Sequence, residues 1–317
     1  MRGQKALSSV PLLPLDCAVT RHVFSPALAV VTIGMADCLH KFSVIHSFEP
    51  FTLSVVLLAQ RNPDATEPSS TRMILKIYDT RYLRDRKETP NMYLTHRPWI
   101  ADAERTAAET RAAFARGDFT EDPYDNGDAL YEDWPPSDNP PAQARRSALW
   151  EEHFYRYMLE TYHHERRAYQ ALHDLQGTLI PRFLAEGFFV PPPEDGRSWE
   201  PPAIILEYIP SITLGNISSD LLTPALYLPF VEKVDKLHTY GLAHGDLHAD
   251  NVLLSPADNP TRTLIVDWGN APFREDIEDP TSDKDWKFQY RMSGDSLRLR
   301  HALREKGFDL PEKSFDE

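Results

Sequence analysis

Two motifs constrain this chain more than anything else in it. The first is His244-Gly245-Asp246-Leu247-His248-Ala249-Asp250-Asn251, which reads His-x-Asp-x-x-x-x-Asn. The second is Leu264-Ile265-Val266-Asp267-Trp268-Gly269, an apolar run ending in Asp-x-Gly. Between them, the apolar runs Val252–Leu254 and Thr263–Val266 flank Pro256, Asp258, Asn259 and Pro260, a pattern that predicts a β-hairpin closed by a Pro- and Asx-rich turn. Chemically, the set offers an acid able to orient a hydroxyl, and an amide with a second acid able to hold a metal ion.

Length and charge narrow the partners. A chain of 317 residues can bury a sizeable core in one large domain or two lobes. The formal net charge of -14, with no local run of Lys and Arg, opposes binding to nucleic acid. Cys17 and Cys38 are the only cysteines, too few for a disulfide framework or a zinc site, which fits an intracellular setting, cytoplasmic or nuclear. No stretch reaches the roughly 18 apolar residues of a spanning helix, so no membrane partner is expected. Residues 1–40 are read as a leader outside the folded unit, disordered or preceding a native start that would fall at Met35.

Periodicity supplies the elements. Phe42–Ile45 and Phe51–Ala59 predict a hairpin, and Met73–Tyr78 a short strand with Lys76 in its middle, a lysine that a solvated strand face would equally explain. Asp102–Arg116 is an Ala-rich, charge-alternating helix. Between residues 117 and 139 stand eight acids and no Lys or Arg, interspersed with prolines, which predicts a self-repelling loop. From Trp150 to Leu172 a helix places Met158, Tyr162, Glu165, Tyr169 and Leu172 on one face. A carboxylate on that apolar face is costly unless a cation meets it. Two strands follow, Phe188–Val190 and Ala203–Ile209, then a helix over Leu226–Tyr240 ended by Gly241, and a last helix over about 294–306.

The order of strand Lys, helix Glu, strand pair, helix, His-x-Asp loop and Asp-x-Gly resembles the protein-kinase-like superfamily, from about residue 41 to residue 300. The resemblance implies an α+β, bilobal fold. Residues 41–209 would form a β-rich N-lobe with an acidic insert near 79–145, and residues 210–317 a reduced, mainly helical C-lobe. It implies ATP and Mg²⁺ as cofactors and a protein or small-molecule hydroxyl as phosphoryl acceptor. Lys76 then matches the lysine that pairs with the α- and β-phosphates, and Glu165 the glutamate that pairs with it. Asp246 matches the catalytic acid; Asn251 and Asp267 match the magnesium ligands. Leu206-Glu207-Tyr208-Ile209 matches the hinge, with Glu207 and Ile209 meeting adenine through the backbone. His244 would brace the loop, while His248 is either a phosphate contact or only a polar loop group.

Departures from the pattern set the alternatives. Residues 41–60 contain no glycine, so either Ser47–Thr52 cradles phosphate by another geometry or nucleotide binding is weak. Gly245 stands where many protein kinases carry Arg, His248 where Ser/Thr kinases place Lys, and Ile74 where a small Ala roofs the adenine. The His-Gly-Asp-x-His-x-x-Asn loop is similar to that of aminoglycoside and choline phosphotransferases. The Leu75–Asp79 strand, the long insert and the Leu175–Pro181 turn resemble divergent fungal protein-kinase-like proteins. Three readings follow: a kinase for protein Ser or Thr, a small-molecule kinase of the aminoglycoside-phosphotransferase type, and a pseudokinase binding module.

Overall fold

The first described strand starts at Val30, where alternating burial along Val-Val-Thr-Ile-Gly-Met marks one face as core. The computed structural model describes residues 30–36, 38–61, 71–86, 97–125, 130, 135 and 138–310. The expected leader up to residue 29, the loop over 62–70 and most of the acidic stretch beyond residue 125 lie outside these. Strand β1 (Val30–Met35) and the first residues of β2 (Cys38–Ser47) correct the expected start of the folded unit at residue 41. The Met35 alternative would cut β1 away from the strands it pairs with.

Strands β2, β3 (Val55–Arg61), β4 (Arg72–Ile77), β5 (Phe183–Phe189) and β6 (Pro202–Glu207) join β1 in a closed barrel of order β1-β2-β3-β4-β6-β5, with every pairing antiparallel. Closure comes from β1 meeting β5, with Ile33 opposite Phe189 and Gly34 opposite Phe188. Gly187 permits this approach, because a Cβ there would collide with the Gly34 carbonyl oxygen. Register breaks at Val44/His46 and Phe183/Ala185 add the local bend that a tightly curved sheet requires.

Strand alternation sorts β4 into two faces. Met73, Leu75 and Ile77 point into the barrel, packed with Ile33, Leu57 and Ile205. Leu57 and Leu75 are fully buried, and burial of such a side chain contributes about 1.5–3 kcal/mol. Ile74, Lys76 and, just past the end of β4, Tyr78 take the other face, where Ile74 and Tyr78 join the main apolar cluster with Met158 and Tyr169. The solvated-face alternative for Lys76 is therefore corrected: the residue is 5% exposed.

Helix α1 (Ala101–Ala115) and helix α2 (Pro140–Ala171) follow. Helix α2 begins ten residues before the expected Trp150. Asn139 caps it by accepting from Ala142 N–H (3.2 Å), and Pro140 and Pro141 sit in the first turn, where a missing N–H costs nothing. The Pro140-Pro141 pair thus starts a helix. Within the acidic stretch, Asp122 pairs with Arg156 (2.8 Å) and Leu130 is buried. Around α1, Arg197 bridges Asp79 (2.6 Å) and Glu104 (3.0 Å), all three deeply buried, so the insert is fastened to the chain just after the Lys76 strand.

A second sheet of order β7-β8-β9 comprises Ile212–Thr213, Val252–Ser255 and Arg262–Ile265, and β8-β9 is the expected hairpin. Helix α3 (Pro224–Asp235) ends earlier than expected and passes into a 3-10 turn over Leu237–Tyr240 before Gly241. Helix α4 (Asp283–Ser293) was not expected. Its polar surface hides only two buried anchors, Trp286 and Tyr290, one turn apart. Helix α5 (Asp295–Glu305) is the last described helix. No described helix is long and apolar enough to cross a membrane.

Candidate functional site

The outward face of β4 brings Lys76 under α2. Its ammonium contacts Glu165 Oε2 and Asp267 Oδ1, the latter at 2.5 Å, so one cation holds a barrel strand, a helix and the segment after β9 together. Burial works against the ammonium, but Asp267 and Glu165 outweigh it and hold its pKa above the ordinary lysine range. Burial likewise pushes up the pKa of Glu165, which Lys76 only partly offsets. Asp267, also desolvated, is pulled below the usual carboxylate range by Lys76. Tyr78 donates its hydroxyl to Glu165 Oε2 (2.6 Å). It lies two residues after Lys76 on the same strand face, a period-2 relation that the sequence contained.

His244 organises the loop before Asp246. Its Nε2–H donates to Val266 O (2.9 Å), and Nδ1 accepts from Asp246 N–H (3.2 Å). These partners specify a neutral ring, and burial lowers its pKa to about 4. Trp268 packs on it, ring centroids 4.6 Å apart. At Gly245 the backbone takes φ +81°, and a Cβ would collide with Asn270 O. The arginine that many kinases carry there is thus excluded by geometry. Asp267 itself takes φ +70°, an uncommon conformation for a non-glycine residue. Such strain persists only where surrounding contacts enforce it, here the Lys76 ion pair.

A hydrogen-bond chain ties the expected residues to one another. Asn251 Nδ2 donates to Asp246 O (3.0 Å), and Val266 N–H donates to Asn251 O (3.0 Å), one residue before Asp267. Asn251 therefore keeps Oδ1, and Asp267 keeps Oδ2, as oxygen donors. No cluster of three or more His, Cys, Asp or Glu that could hold a metal occurs among the described residues. Two protein oxygens fit Mg²⁺, which typically retains waters and phosphate oxygens as its other ligands.

Other expected residues stand differently. His248 is half-exposed, 3.9 Å from Asp246 Oδ2, and its Nδ1 accepts from Asp250 N–H (3.2 Å). Asp250 Oδ1 accepts from Thr213. The Glu207 N–H is taken by Arg182 O (2.9 Å) and its carboxylate by Arg182 N–H (3.2 Å). The β6 ladder thus uses the Glu207 amide, so a backbone contact to adenine at this residue would fall to its carbonyl. Ile209 is buried just beyond, and its carbonyl accepts from Ser211 Oγ (2.9 Å). Between β2 and β3, Phe51 is buried against Tyr82, and Ser47 Oγ donates to Glu49 (3.3 Å). A carboxylate thus stands in the turn to which one of the two alternatives gave the phosphate.

Sequence reasoning missed two residues of α5. Asp295, 1% exposed, accepts from His244 N–H (2.6 Å) and Gly245 N–H (3.1 Å). Arg298 donates from Nη1 to Gly245 O (2.8 Å) and lies 3.5 Å from Asp246 Oδ1. Neither belongs to a motif; only an acid in the first turn of a helix was visible.

No family model and no curated protein matches the chain. Among solved structures it is similar to the Rio2 kinase from Chaetomium thermophilum, at 14% identity and a TM-score of 0.40, covering 86% of this chain and 62% of that one. The ADP/Mg²⁺-phosphoaspartate complex of that kinase gives 13%, 0.40, 94% and 63% in the same order. A cysteine-to-alanine mutant of the Mycobacterium tuberculosis PknI kinase domain gives 16%, 0.35, 81% and 73%. The chain thus spans under two thirds of the Rio2 kinase chains.

Proposed function

We propose that this chain is a protein-kinase-like phosphotransferase that uses ATP and Mg²⁺, with a protein Ser or Thr hydroxyl as acceptor. The observation that carries the reading is the single ammonium of Lys76 held between Glu165 and Asp267, beside a loop in which Asn251 fixes the backbone of Asp246. Two carboxylates orient the ammonium, which is the preorganisation a phosphate-binding cation needs. Asp246, 44% exposed on its side chain, is free to orient a hydroxyl and receive its proton. Asn251 and Asp267 would hold Mg²⁺, which supplies charge neutralisation at the phosphates when bound. His244 and Asp295 keep the loop in register. On this reading the barrel belongs to an N-lobe, the β7-β8-β9 sheet with α3 to α5 forms the reduced C-lobe, and the protein acts inside the cell.

One observation favours the pseudokinase alternative. The β2–β3 turn offers Glu49 and a buried Phe51 where glycine amides would cradle phosphate. Titration with Mg-ATP, followed by thermal shift, separates the two. Stabilisation at millimolar nucleotide that disappears with a chelator is expected; absence of any shift with magnesium present would leave a binding module. In Asp246→Asn, turnover should fall about 10²–10⁴-fold while nucleotide affinity is kept. Lost affinity with unchanged turnover would contradict the assigned role. A phosphorylation screen of peptides against small-molecule alcohols then tests the acceptor class.

A further inference from the structure

Arg298 sits in the first turn of α5 and reaches the Asp246 loop twice, through Gly245 O (2.8 Å) and toward Asp246 Oδ1 (3.5 Å). The backbone that carries it is anchored. Asp295, one turn back on the same helix, takes the amides of His244 and Gly245, so the loop anchors α5 and α5 aims the guanidinium. The Arg298 side chain is 45% exposed beside an Asp246 side chain that is 44% exposed, so whatever meets the carboxylate also meets the cation. Nε and Nη2 of Arg298 donate to no described residue, which leaves part of its donor fork for a ligand.

Charge counting gives this position its importance. Lys76 is shared by two carboxylates, Glu165 and Asp267, and cannot by itself answer a triphosphate. Among the described residues, the ion-pair neighbours of Asp246 are His248, an imidazole at 3.9 Å, and Arg298, the one permanent cation. Phosphoryl transfer spreads negative charge over the equatorial oxygens, and a cation placed there is among the largest catalytic contributions. Resting on the phosphotransferase reading above, we infer that Arg298 is the cation that meets the transferring phosphoryl group, delivered from helix α5 instead of from the His-x-Asp loop. The acceptor oxygen–phosphorus bond forms as the bond to the ADP oxygen breaks. The hydroxyl proton passes to Asp246, and the leaving charge stays on ADP. Arg298 forms no bond. Engagement of Asp246 by the hydroxyl frees the guanidinium to turn to the phosphoryl oxygens.

The test compares Mg-ADP with Mg-ADP plus aluminium fluoride, a mimic of the planar phosphoryl group, by thermal shift on the full chain. The wild-type chain should gain a further shift from the fluoride. Arg298→Ala should keep the Mg-ADP shift, lose the fluoride increment, and turn over about 10²-fold more slowly. Millimolar guanidinium chloride, but not urea, should restore part of that rate. Should Arg298→Ala fail to fold, Arg298→Gln, which retains a donor for Gly245 O, carries the same comparison. A retained fluoride increment with unchanged turnover overturns the inference. So does loss of the Mg-ADP shift without guanidinium rescue, because that marks Arg298 as a clamp on the loop only. A wild-type chain that Mg-ADP does not stabilise at all overturns the phosphotransferase reading itself, a separate failure.

Discussion

Replacing Lys76 with Met removes one positive charge from a site that holds it between two negative ones. The side chains of Lys76 and Glu165 are 7% and 0% exposed, so solvent screens their interaction little, whereas Asp267 at 32% can turn toward water. Removing one partner of a buried pair leaves the other desolvated and uncompensated, at about 3–5 kcal/mol. Lys76→Met should therefore lose about that much, with Glu165 as the stranded charge. Glu165→Gln keeps the shape and leaves Lys76 its Asp267 partner, so about 1–2 kcal/mol is expected. In the double variant no charge is stranded on Glu165, and the two losses should fall short of additivity by about 2–3 kcal/mol. The pH dependence follows. In Lys76→Met the buried carboxylate has its folded pKa raised above the unfolded value, so the folded state binds more protons at intermediate pH and stability falls as pH rises. The variant should be closer to wild type at pH 5 than at pH 8. Urea denaturation followed by tryptophan fluorescence at both pH values measures all of this. Additivity within about 0.5 kcal/mol, or the same loss at both pH values, would refute the ion-pair account.

Two further outcomes follow from the loop. His244 is held neutral with its pKa lowered to about 4, against about 6.5 unfolded, so the unfolded state binds more protons between these values. Wild type should lose roughly 3 kcal/mol of stability as pH falls through that window, and His244→Gln, compared by urea denaturation, should lack this component; matching pH profiles would show that the ring already titrates normally. Gly245→Ala meets both a positive φ and the Asn270 carbonyl, so it should cost about 2–3 kcal/mol by the same assay and slow turnover as the loop shifts. A loss under about 1 kcal/mol would mean that the backbone there relaxes freely.

Residues whose physical demands are local were legible from the sequence. Glu165 announced itself because a carboxylate among Met158, Tyr162 and Tyr169 has to find a cation, and Lys76 lies within its reach. The β8-β9 hairpin was legible because two apolar runs flank a Pro- and Asx-rich turn. Strand β1 was not, since part of what makes Val30–Met35 a strand is pairing with Phe188 and Phe189, far along the chain. The start of α2 was lost because Asn139-Pro140-Pro141 serves equally as a turn and as a cap with prolines in the first turn, and only the accepted Ala142 N–H decides between them. Glu207 shows the converse. The motif resemblance gives it a backbone role, yet its amide is already spent on Arg182, a fact of strand length that no motif encodes.

Arg298 marks where motif reasoning stops. The loop motif specifies which side chains leave the backbone between positions 244 and 251, but it says nothing about the helix that packs beneath them. Gly245 has no side chain with which to supply charge. The permanent cation beside Asp246 arrives from another element, and its sequence position is then set by helix packing. Asp295 fixes that packing through two backbone amides, contacts that any loop sequence could make. A chain with the same motifs and a different residue three positions after Asp295 would keep the two Asp295 bonds to the loop and lose the cation with its bond to Gly245 O, so the loop pattern and the charge at the site can vary independently.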